Sequence, residues 1–233
     1  PCLLRLKDAA EIVAVADPIA LSRTTAASAA HLGPEACFAD FPALLEAMPL
    51  DLVLIATPHH LHVPAAAAAA RRGVAIICEK PMATCLADAR TLAGVLAETR
   101  VPFSVVHNFL YSPGNRRAQE LLHNGPSAPE KRRSRRAQSL FAKEEPLEPG
   151  DWRNQVQTGG GALNDTCYHE LYQVEALVGS PITRVQARLS TVHHAIAADD
   201  LVLLTLEHAD GTLSSVATAW AIPGFEGTYC EVH

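Results

Sequence analysis

The sequence lacks several features that would assign it to a class at once. It has six cysteines but no Cys-x-x-Cys pair, so neither a zinc site nor a compact disulfide scaffold is indicated. We therefore expect free thiols in a reducing, cytoplasmic compartment. No apolar run approaches the roughly 20 residues that span a bilayer, so we expect neither a membrane segment nor a secretory signal. Positive charge is not in excess, because 19 Lys and Arg face 25 Asp and Glu, which argues against nucleic acid as a partner.

The residues that are present suffice for a folded chain of moderate size. Of the 233 residues, 48% are hydrophobic and 19% are charged, which is close to the ordinary globular balance. Wholesale disorder is therefore excluded. The length allows one large domain or two small ones.

Up to about residue 125, short apolar strands alternate with helices. The predicted strands are Glu11–Ala16, Leu52–Ala56, Val74–Cys78 and Pro102–Val106, and the predicted helices are Thr24–His31, Val63–Arg72, a segment from the N-cap Thr84 to Thr99, and Gly114–Asn124. Leu52–Ala56 is apolar throughout, as a strand buried on both faces should be. The alternation predicts parallel βαβ units and a doubly wound sheet.

Beyond a polar and basic segment at 125–136, strands dominate. They are predicted at Ser139–Ala142, Ile182–Val192, Leu201–Glu207 and Thr212–Ala219, with one helix at Leu163–Val178. Asp210-Gly211 is a strong hairpin signal between the last two strands. Antiparallel strands with a helix on one face predict an α+β second domain.

Candidate ligand-binding residues follow three of the predicted strands. Asp17 comes directly after the first, where dinucleotide-binding folds place an acidic residue on the adenosine ribose, although such an Asp is also an ordinary turn former. The segment Thr57-Pro58-His59-His60-Leu61-His62 follows the second strand, and Glu79-Lys80-Pro81 follows the third. Because open α/β sheets bind ligands at the carboxyl ends of their strands, we expect Lys80 at a binding cleft.

A glycine-rich segment opens the predicted helix of the second half. It runs Gly159-Gly160-Gly161-Ala-Leu-Asn-Asp-Thr-Cys-Tyr-His169, and its glycines would let the backbone approach a ligand closely. Asp165 and His169 are four residues apart, so they share one helix face. A carboxylate beside an imidazole commonly orients a general base. The alternative is an ordinary surface pair.

Together these segments resemble the Gfo/Idh/MocA family, the relatives of glucose–fructose oxidoreductase and inositol dehydrogenase. The matching pieces are VAVADP, ATPHHLH, CEKPMA, the Asp-Trp-Arg triplet at 151–153 and GGGALNDTCYHELYQVEALVG, in the family's order over nearly the whole chain. The resemblance implies an NAD(P)-binding Rossmann domain over residues 1–110 and an α+β domain with an open antiparallel sheet over residues 111–233. The implied activity is hydride transfer between a nicotinamide and a sugar, polyol or related hydroxy compound.

The resemblance also assigns residues to roles. Lys80, Asp165 and His169 are the implied catalytic set. Besides Asp17, the residues implied to lie along the cofactor are Thr57, Pro58, His62, Glu79, Lys80, Asn108, Trp152 and Arg153. In the mechanism we expect, His169 is oriented by Asp165 and removes the hydroxyl proton, while Lys80 donates hydrogen bonds to the developing alkoxide.

The chain departs from the family in several places. It contains no GxGxxG phosphate loop, and the end of the second sheet is missing, so we expect both ends to be incomplete. Cys167 and Tyr172 stand where glycine and aspartate are common, and Leu110 replaces a frequent arginine, which disfavours an anionic substrate. Three alternatives stay open: an NAD-retaining glycosidase, a non-catalytic dinucleotide-binding regulator, and a fragment that binds no cofactor.

The remaining expectations concern metal, cofactor choice and assembly. His59, His60 and His62 lack carboxylate or cysteine partners at ligand spacing, so we expect a polar loop and no metal. The Asp17 carboxylate would repel the 2′-phosphate of NADP, which predicts NAD as the cofactor by at least about tenfold. Arg23 is the nearest basic residue, so NADP is disfavoured without being excluded.

We also expect a homo-oligomer formed through the open sheet. The alternating apolar residues Val202, Leu204 and Leu206 offer a face that association could bury. The basic run from Lys131 to Arg136 is expected to be a solvated linker and no nucleic-acid site, since the chain around it is acidic.

Overall fold

The computed structural model describes residues 3–6, 8–124, 136–144, 147–148, 150–224 and 226–232. The chain divides into two compact units, which we treat separately. The first contains Pro1–Ala56, Leu61–Cys78 and Ala87–Ser104, and the second contains Thr57–His60, Glu79–Leu86 and Val105–His233. Two short segments that follow strands of the first unit thus belong to the second unit.

The first unit alternates strands and helices, as predicted. Its elements are β1 (Val15–Ala16), α1 (Ala20–Ala29), β2 (Cys37–Phe38), α2 (Phe41–Ala47), β3 (Leu52–Ile55), α3 (His62–Arg71), β4 (Ala75–Cys78), α4 (Leu86–Thr99) and β5 (Phe103–Val105). β1 pairs in parallel with β2, and a second sheet has the order β3-β4-β5 with β3 and β4 parallel. The expected parallel strand–helix architecture is confirmed.

Helix α3 illustrates why these residues form these elements. Its alanines give high helix propensity, and Ala66 and Ala69 are fully buried because a small side chain allows close packing. Arg72 follows the helix, and Gly73 then adopts a φ of +77°, the left-handed conformation that commonly ends helices. The predicted helix Val63–Arg72 is therefore confirmed within one residue at each end.

Three local expectations for this unit are wrong. The first predicted strand shrinks to Val15–Ala16, because only these two residues pair with β2. Leu52 and Leu54 are 42% and 47% exposed, since described elements cover only the face of β3 that carries Ile55. Helix α4 begins at Leu86, so Thr84 lies too far upstream to be its N-cap.

The second unit is built on a five-stranded sheet. Its elements are α5 (Pro113–Asn124), β6 (Arg136–Ala142), α6 (Tyr168–Val178), β7 (Ile182–Ser190), β8 (Leu201–His208), β9 (Leu213–Ala219) and β10 (Gly227–Val232), and the strand order is β10-β6-β9-β8-β7. The expected β8–β9 hairpin forms, with Gly211 at a φ of +85°. The sheet is mixed and not purely antiparallel, because β6 and β9 pair in parallel. These two strands are far apart in the chain, so no hairpin forces them to run in opposite directions.

The core of the second unit lies between α6 and one face of this sheet. Val202, Leu204 and Leu206 of β8 are buried in one cluster with Val174 and Val178 of α6. The expectation that these three β8 residues form an association face is therefore wrong, because the chain itself covers them. The opposite face carries the exposed apolar side chains of Leu203 and Leu213. On the edge strand β7, Val185 and Leu189 are also exposed, but they pair with Leu206 and Val202 and so point to the same side as the core.

The segment before α6 departs from a regular α-helix. Leu163–Cys167 forms a π-helical turn, in which hydrogen bonds span five residues instead of four, and α6 continues from Tyr168. The basic run predicted as a linker lies outside the described residues, apart from Arg136 at the start of β6. Within the described ranges, no helix combines the length and the apolarity needed to cross a membrane.

Candidate active site

A cavity of about 360 Å³ lies within the second unit, a suitable size for a small organic ligand. Its lining residues come from the segment after β4, from β6, and from the region around the π-helical turn. They are Lys80, Phe109, Phe141, Lys143, Asp151, Arg153, Asp165, Thr166, His169 and Glu170. All three residues of the implied catalytic set therefore face one cavity.

Asp165 forms the centre of a charged cluster at this cavity. Lys80 Nζ donates to Asp165 Oδ1 at 2.8 Å and to the Asp165 main-chain oxygen at 2.5 Å. Arg153 Nε donates to the other carboxylate oxygen at 3.1 Å. Burial alone would raise the pKa of Asp165, but the charges and hydrogen bonds of Lys80 and Arg153 outweigh it and hold that pKa below its ordinary value. The carboxylate is thus fixed in its ionised form between two cations.

His59 completes the surroundings of Asp165, a role that the sequence did not indicate. Its Nδ1 lies 2.8 Å from the main-chain oxygen of Gly159, so Nδ1 must carry the proton, and Nε2 lies 3.7 Å from Asp165 Oδ1. The His59 ring packs edge-on against Trp152. The Arg153 guanidinium also contacts Trp152, with its carbon 4.4 Å from the indole centroid. Only the Thr-Pro-His-His context marks this histidine, and it marks His60 equally.

His169 has a different environment from Asp165. Its Nδ1 lies 2.7 Å from the Tyr172 hydroxyl, and its ring packs against Phe109 with centroids 4.6 Å apart. Its Nε2 makes no hydrogen bond to any described residue. Burial, followed by the positive charge of Lys80, lowers the pKa of His169 to about 4. The imidazole is therefore neutral at physiological pH.

The expected hydrogen-bonded pair of Asp165 and His169 is not what the structure shows. Both carboxylate oxygens of Asp165 are held by Lys80 and Arg153, and Tyr172 takes the place beside His169 Nδ1. The physical reason is competition for the two groups, because the cations of Lys80 and Arg153 attract the carboxylate more strongly than a neutral imidazole does. Asp165 acts on His169 only through its charge, which opposes the lowering of the pKa.

The three glycines before this turn lie where the structure leaves little room for a side chain. A Cβ on Gly159 would collide with Thr84 Cγ2, and one on Gly160 would collide with the main-chain oxygen of Arg153. Gly161 has a φ of +98°, which favours glycine. Packing therefore already gives a reason for glycine at these positions, and the approach of their backbone to a ligand stays a prediction.

Glu170, which the sequence did not single out, is a buried carboxyl at the cavity. It is 1% exposed, and the Ser139 hydroxyl donates to its Oε2, while its Oε1 has no hydrogen-bond partner among the described residues. Burial raises the pKa of Glu170, and the Ser139 hydrogen bond opposes this only partly. Nothing in a single sequence separates this glutamate from an exposed one next to a motif histidine.

The residues expected along a cofactor are distributed over both units. In the first unit, Asp17 follows β1, and its Oδ1 accepts from the Ile19 amide at 2.8 Å. Arg23 of α1 donates to the Asp17 main-chain oxygen, so this cation does reach the end of the strand. His62 is fully buried at the start of α3. In the second unit, Asn108 Oδ1 accepts from Tyr172, and Arg153 belongs to the Asp165 cluster.

The chemistry of these groups fits a dinucleotide. Asp17 is half-buried, and its Oδ2 makes no hydrogen bond to the described residues, so it can accept from ribose hydroxyls. Thr57, Pro58 and Glu79 lie in the segments after β3 and β4, where parallel sheets bind ligands. As for metals, no group of three or more His, Cys, Asp or Glu among the described residues could hold an ion.

Comparison with known proteins places both halves of the chain. A family model described as "Oxidoreductase family, NAD-binding Rossmann fold" matches residues 2–107. A second, described as "GFO/IDH/MocA C-terminal domain", matches residues 132–233.

Individual relatives agree with these matches. D-apiose dehydrogenase of Paraburkholderia graminis is 33% identical over 92% of this chain and 55% of its own length. The rhizopine catabolism protein MocA of Rhizobium meliloti is 31% identical over 95% of this chain and 67% of its own. Levoglucosan dehydrogenase, solved with NADH and levoglucosan, is 26% identical with a TM-score of 0.80 over 94% of this chain and 61% of that chain. The chain thus spans a little over half to two thirds of these proteins.

Proposed function

Because the chain belongs to the GFO/IDH/MocA family of oxidoreductases, we propose that the whole protein is an NAD-dependent dehydrogenase acting on a hydroxyl group of a sugar or polyol. The observation that carries this proposal is the pairing of a neutral histidine and a lysine in one cavity. His169 and Lys80 both line it, and each keeps a hydrogen-bonding position that the described residues do not use. These are the two groups that oxidation of an alcohol requires.

Lys80 is suited to stabilise developing negative charge on the substrate oxygen. An ammonium group has three N–H bonds, and the hydrogen bonds to Asp165 use two of them. The third can donate to a hydroxyl oxygen in the cavity. Asp165 and Arg153 hold the ammonium in place, so little reorganisation is needed as the charge develops.

His169 is suited to take the hydroxyl proton. Its low pKa keeps the ring neutral, and Nε2 makes no other described hydrogen bond. When bound, the nicotinamide supplies the hydride acceptor. With that acceptor in place, His169 Nε2 would take the O–H proton, and Lys80 would lower the pKa of the hydroxyl through its hydrogen bond.

The other residues that line the cavity support a sugar-sized, largely uncharged ligand. Phe109 and Phe141 offer aromatic surface to the C–H faces of a ring, and Glu170 and Asp151 offer acceptors to hydroxyl groups. The names of the relatives, D-apiose dehydrogenase and levoglucosan dehydrogenase, indicate the same class. D-Apiose, levoglucosan and myo-inositol are therefore the first compounds to test.

The test is reduction of NAD by the whole protein with each of these three compounds, followed through NADH absorbance. The proposal expects turnover with at least one of them and none when Lys80 and His169 are both replaced. Release of free sugar from a glycoside without net NADH would instead support an NAD-retaining glycosidase. Cofactor binding without turnover of any sugar or glycoside would support a non-catalytic regulator.

We also propose that NAD is preferred over NADP by at least about tenfold, or roughly 1.4 kcal/mol. The Asp17 carboxylate would lie close to a 2′-phosphate and repel it. Arg23 moderates this repulsion, because its guanidinium is held at the Asp17 main chain. Titration of both cofactors by intrinsic fluorescence should therefore show a larger preference for NAD in Arg23→Gln and a smaller one in Asp17→Asn. Equal affinities in the unchanged protein would contradict the role of Asp17.

Further proposals concern organisation and assembly. We propose that the dinucleotide-binding part covers residues 1–110 and the substrate part residues 111–233. We propose a homo-oligomer through the open sheet, now on the face with Leu203 and Leu213, whose side chains are 46% and 53% exposed. Leu203→Glu should then lower the mass measured by light scattering. A reducing, cytoplasmic location agrees with Cys78 and Cys167, which are fully buried, form no disulfide and pack as small hydrophobic residues.

A further inference from the structure

Tyr172, and not Asp165, is the residue that forms a hydrogen bond with the His169 imidazole. It lies one helical turn after His169 on α6 and is only 6% exposed. Its hydroxyl lies 2.7 Å from His169 Nδ1, which is the shortest of its three polar contacts. The other two are the Asn108 side-chain oxygen at 3.2 Å and the Phe109 amide at 3.3 Å.

The hydrogen-bond capacity of a phenol decides what these contacts mean. A phenolic hydroxyl has one proton to donate and can accept through its lone pairs. The Phe109 amide can only donate, so the Tyr172 oxygen accepts from it. The Asn108 carboxamide is assigned with Oδ1 facing the hydroxyl, and Oδ1 can only accept, so the Tyr172 proton is directed there. His169 Nδ1 must then be the donor in the third contact.

We infer that Tyr172 is a positioning residue that fixes His169 as the Nδ1–H tautomer and thereby directs the lone pair of Nε2 into the cavity. The chain of hydrogen bonds runs from His169 Nδ1–H to the Tyr172 oxygen, and from the Tyr172 O–H to Asn108 Oδ1. Its catalytic meaning rests on the proposed function, because a general base at Nε2 must have no proton there. The tautomer itself is a property of the protein without any ligand.

The surroundings of Tyr172 support this fixed arrangement. His107 stacks on its ring with centroids 4.3 Å apart, and Tyr168 packs edge-on at 5.9 Å. Burial, which contributes most, raises the pKa of Tyr172 to about 12, so the phenol keeps its proton and can serve as both acceptor and donor. A neutral tyrosine thus replaces a carboxylate as the partner of the imidazole, and it adds no negative charge that would favour the protonated ring.

The direct test is the tautomer of His169 in the ligand-free protein, read from nitrogen-15 chemical shifts in long-range histidine spectra at neutral pH. The chain has 11 histidines, and the signals of His169 are identified as those that are missing from the spectrum of His169→Gln. We expect the Nδ1–H form in the unchanged protein and a shift toward Nε2–H in Tyr172→Phe. The matched control is Tyr168→Phe, which removes a hydroxyl from the same helix that contacts His107 and not His169. It should leave the His169 tautomer as it was.

Activity gives a second, separable result. In Tyr172→Phe, kcat/KM for the sugar should fall by at least about tenfold, because a smaller fraction of the protein has His169 Nε2 without a proton. An Nε2–H tautomer in the unchanged protein, or the same tautomer in Tyr172→Phe, would overturn the inference even if the protein is a dehydrogenase. The expected tautomer in a protein that oxidises no sugar would leave the positioning intact and overturn the proposed function instead.

Discussion

The two sides of the cavity solve the problem of burying polar groups in opposite ways. On the Lys80 side, an ionised carboxylate is held between two cations, with hydrogen bonds from Lys80 and Arg153 to both of its oxygens. On the His169 side, the polar groups are neutral and are connected through the Tyr172 hydroxyl to Asn108. In the proposed mechanism, charge stabilisation therefore belongs to the Lys80 side and proton transfer to the His169 side of one cavity.

The difference has a physical consequence for the histidine. A carboxylate at Nδ1 would favour the imidazolium and raise the pKa of the ring, whereas a phenol does not. Because Asp165 is committed to Lys80 and Arg153, its influence on His169 is weaker than burial and the charge of Lys80. The lysine therefore helps to keep the neighbouring base unprotonated, besides its own proposed role at the substrate oxygen.

Removing the base should have the largest effect on the neutral side. We expect His169→Gln to lower kcat/KM for sugar oxidation by about 10²- to 10⁴-fold, the usual contribution of a positioned general base. In the unchanged protein, kcat/KM should fall as the pH decreases toward about 4, the pKa of His169, because the ring gains a proton there. That acidic limb should be absent in His169→Gln. His193→Gln, at an exposed position, is the control, and a limb near pH 6.5 in the unchanged protein would contradict the lowered pKa.

Removing the cation should have the largest effect on the charged side. Lys80→Met should lower kcat by about 10²- to 10³-fold, as loss of a single donor to a developing oxyanion does. Lys143→Met is the matched control, since Lys143 also lines the cavity but makes no hydrogen bond to Asp165 among those described. Steady-state kinetics measure kcat for both variants. Full turnover in Lys80→Met would remove Lys80 from the mechanism.

Breaking the ion cluster should cost stability as well as activity. Asp165→Asn leaves two cations without their carboxylate, so we expect the free energy of unfolding at pH 7 to fall by about 1.5 to 3 kcal/mol. The native pKa of Asp165 is lowered, so its contribution is present above the ordinary value of 3.8 and is lost as the pH falls through the native value. Urea unfolding at pH 7 and near pH 3, below the ordinary value, should therefore show a smaller loss at the lower pH.

Asp151→Asn provides the comparison for this variant. Asp151 Oδ1 lies 3.5 Å from Arg153 Nη1. The side chain of Asp151 is 25% exposed, whereas that of Asp165 is 16% exposed. Its loss should be the smaller of the two. Equal losses of unfolding free energy in the two variants would mean that Asp165 stabilises the ion cluster no more than Asp151 does.

Replacing Glu170 should change the free energy of unfolding least, and this change should depend on pH in the opposite direction to that for Asp165. Its native pKa is raised by burial, so the folded state binds the proton more tightly and stability falls as the pH rises above the ordinary value near 4.5. Glu170→Gln cannot ionise, so its free energy of unfolding relative to the unchanged protein should increase between pH 4.5 and 7. Glu120→Gln, at an exposed glutamate paired with Arg117, should show no such trend. A constant difference for Glu170→Gln would mean that the carboxyl is ionised throughout.

The sequence anticipated the residues of the site better than their partners. Strand and helix periodicity placed α3, β8 and β9 almost to the residue, because burial of one face determines those patterns. Lys80, Asp165 and His169 do line one cavity. The predicted Asp165–His169 pair is not formed, because the i,i+4 spacing carries no information on the competing partners Lys80 and Arg153. Nothing in the sequence marks the π-helical turn at Leu163–Cys167 either.

Other errors have a similar origin in contacts between distant segments. The parallel pairing of β6 with β9 and the covering of Val202 by α6 depend on elements that are far apart in the chain. Tyr172 was noted only as a departure from the family, although its spacing of three from His169 already placed both on one helix face. His59 and Glu170 carried no signal that separates them from neighbouring exposed residues of the same type.

Transfer of hydride from a sugar carbon is the central step of the proposed dehydrogenase reaction. The most direct measurement uses a sugar deuterated at its hydroxyl-bearing carbons, taking whichever of D-apiose, levoglucosan and myo-inositol gives turnover, with NAD and the whole protein. Mass spectrometry of the reduced nicotinamide should find one deuterium for each sugar oxidised, and the transfer should be lost in the His169→Gln and Lys80→Met variants. Consumption of the sugar with all deuterium retained in the carbohydrate products would contradict the proposed dehydrogenase.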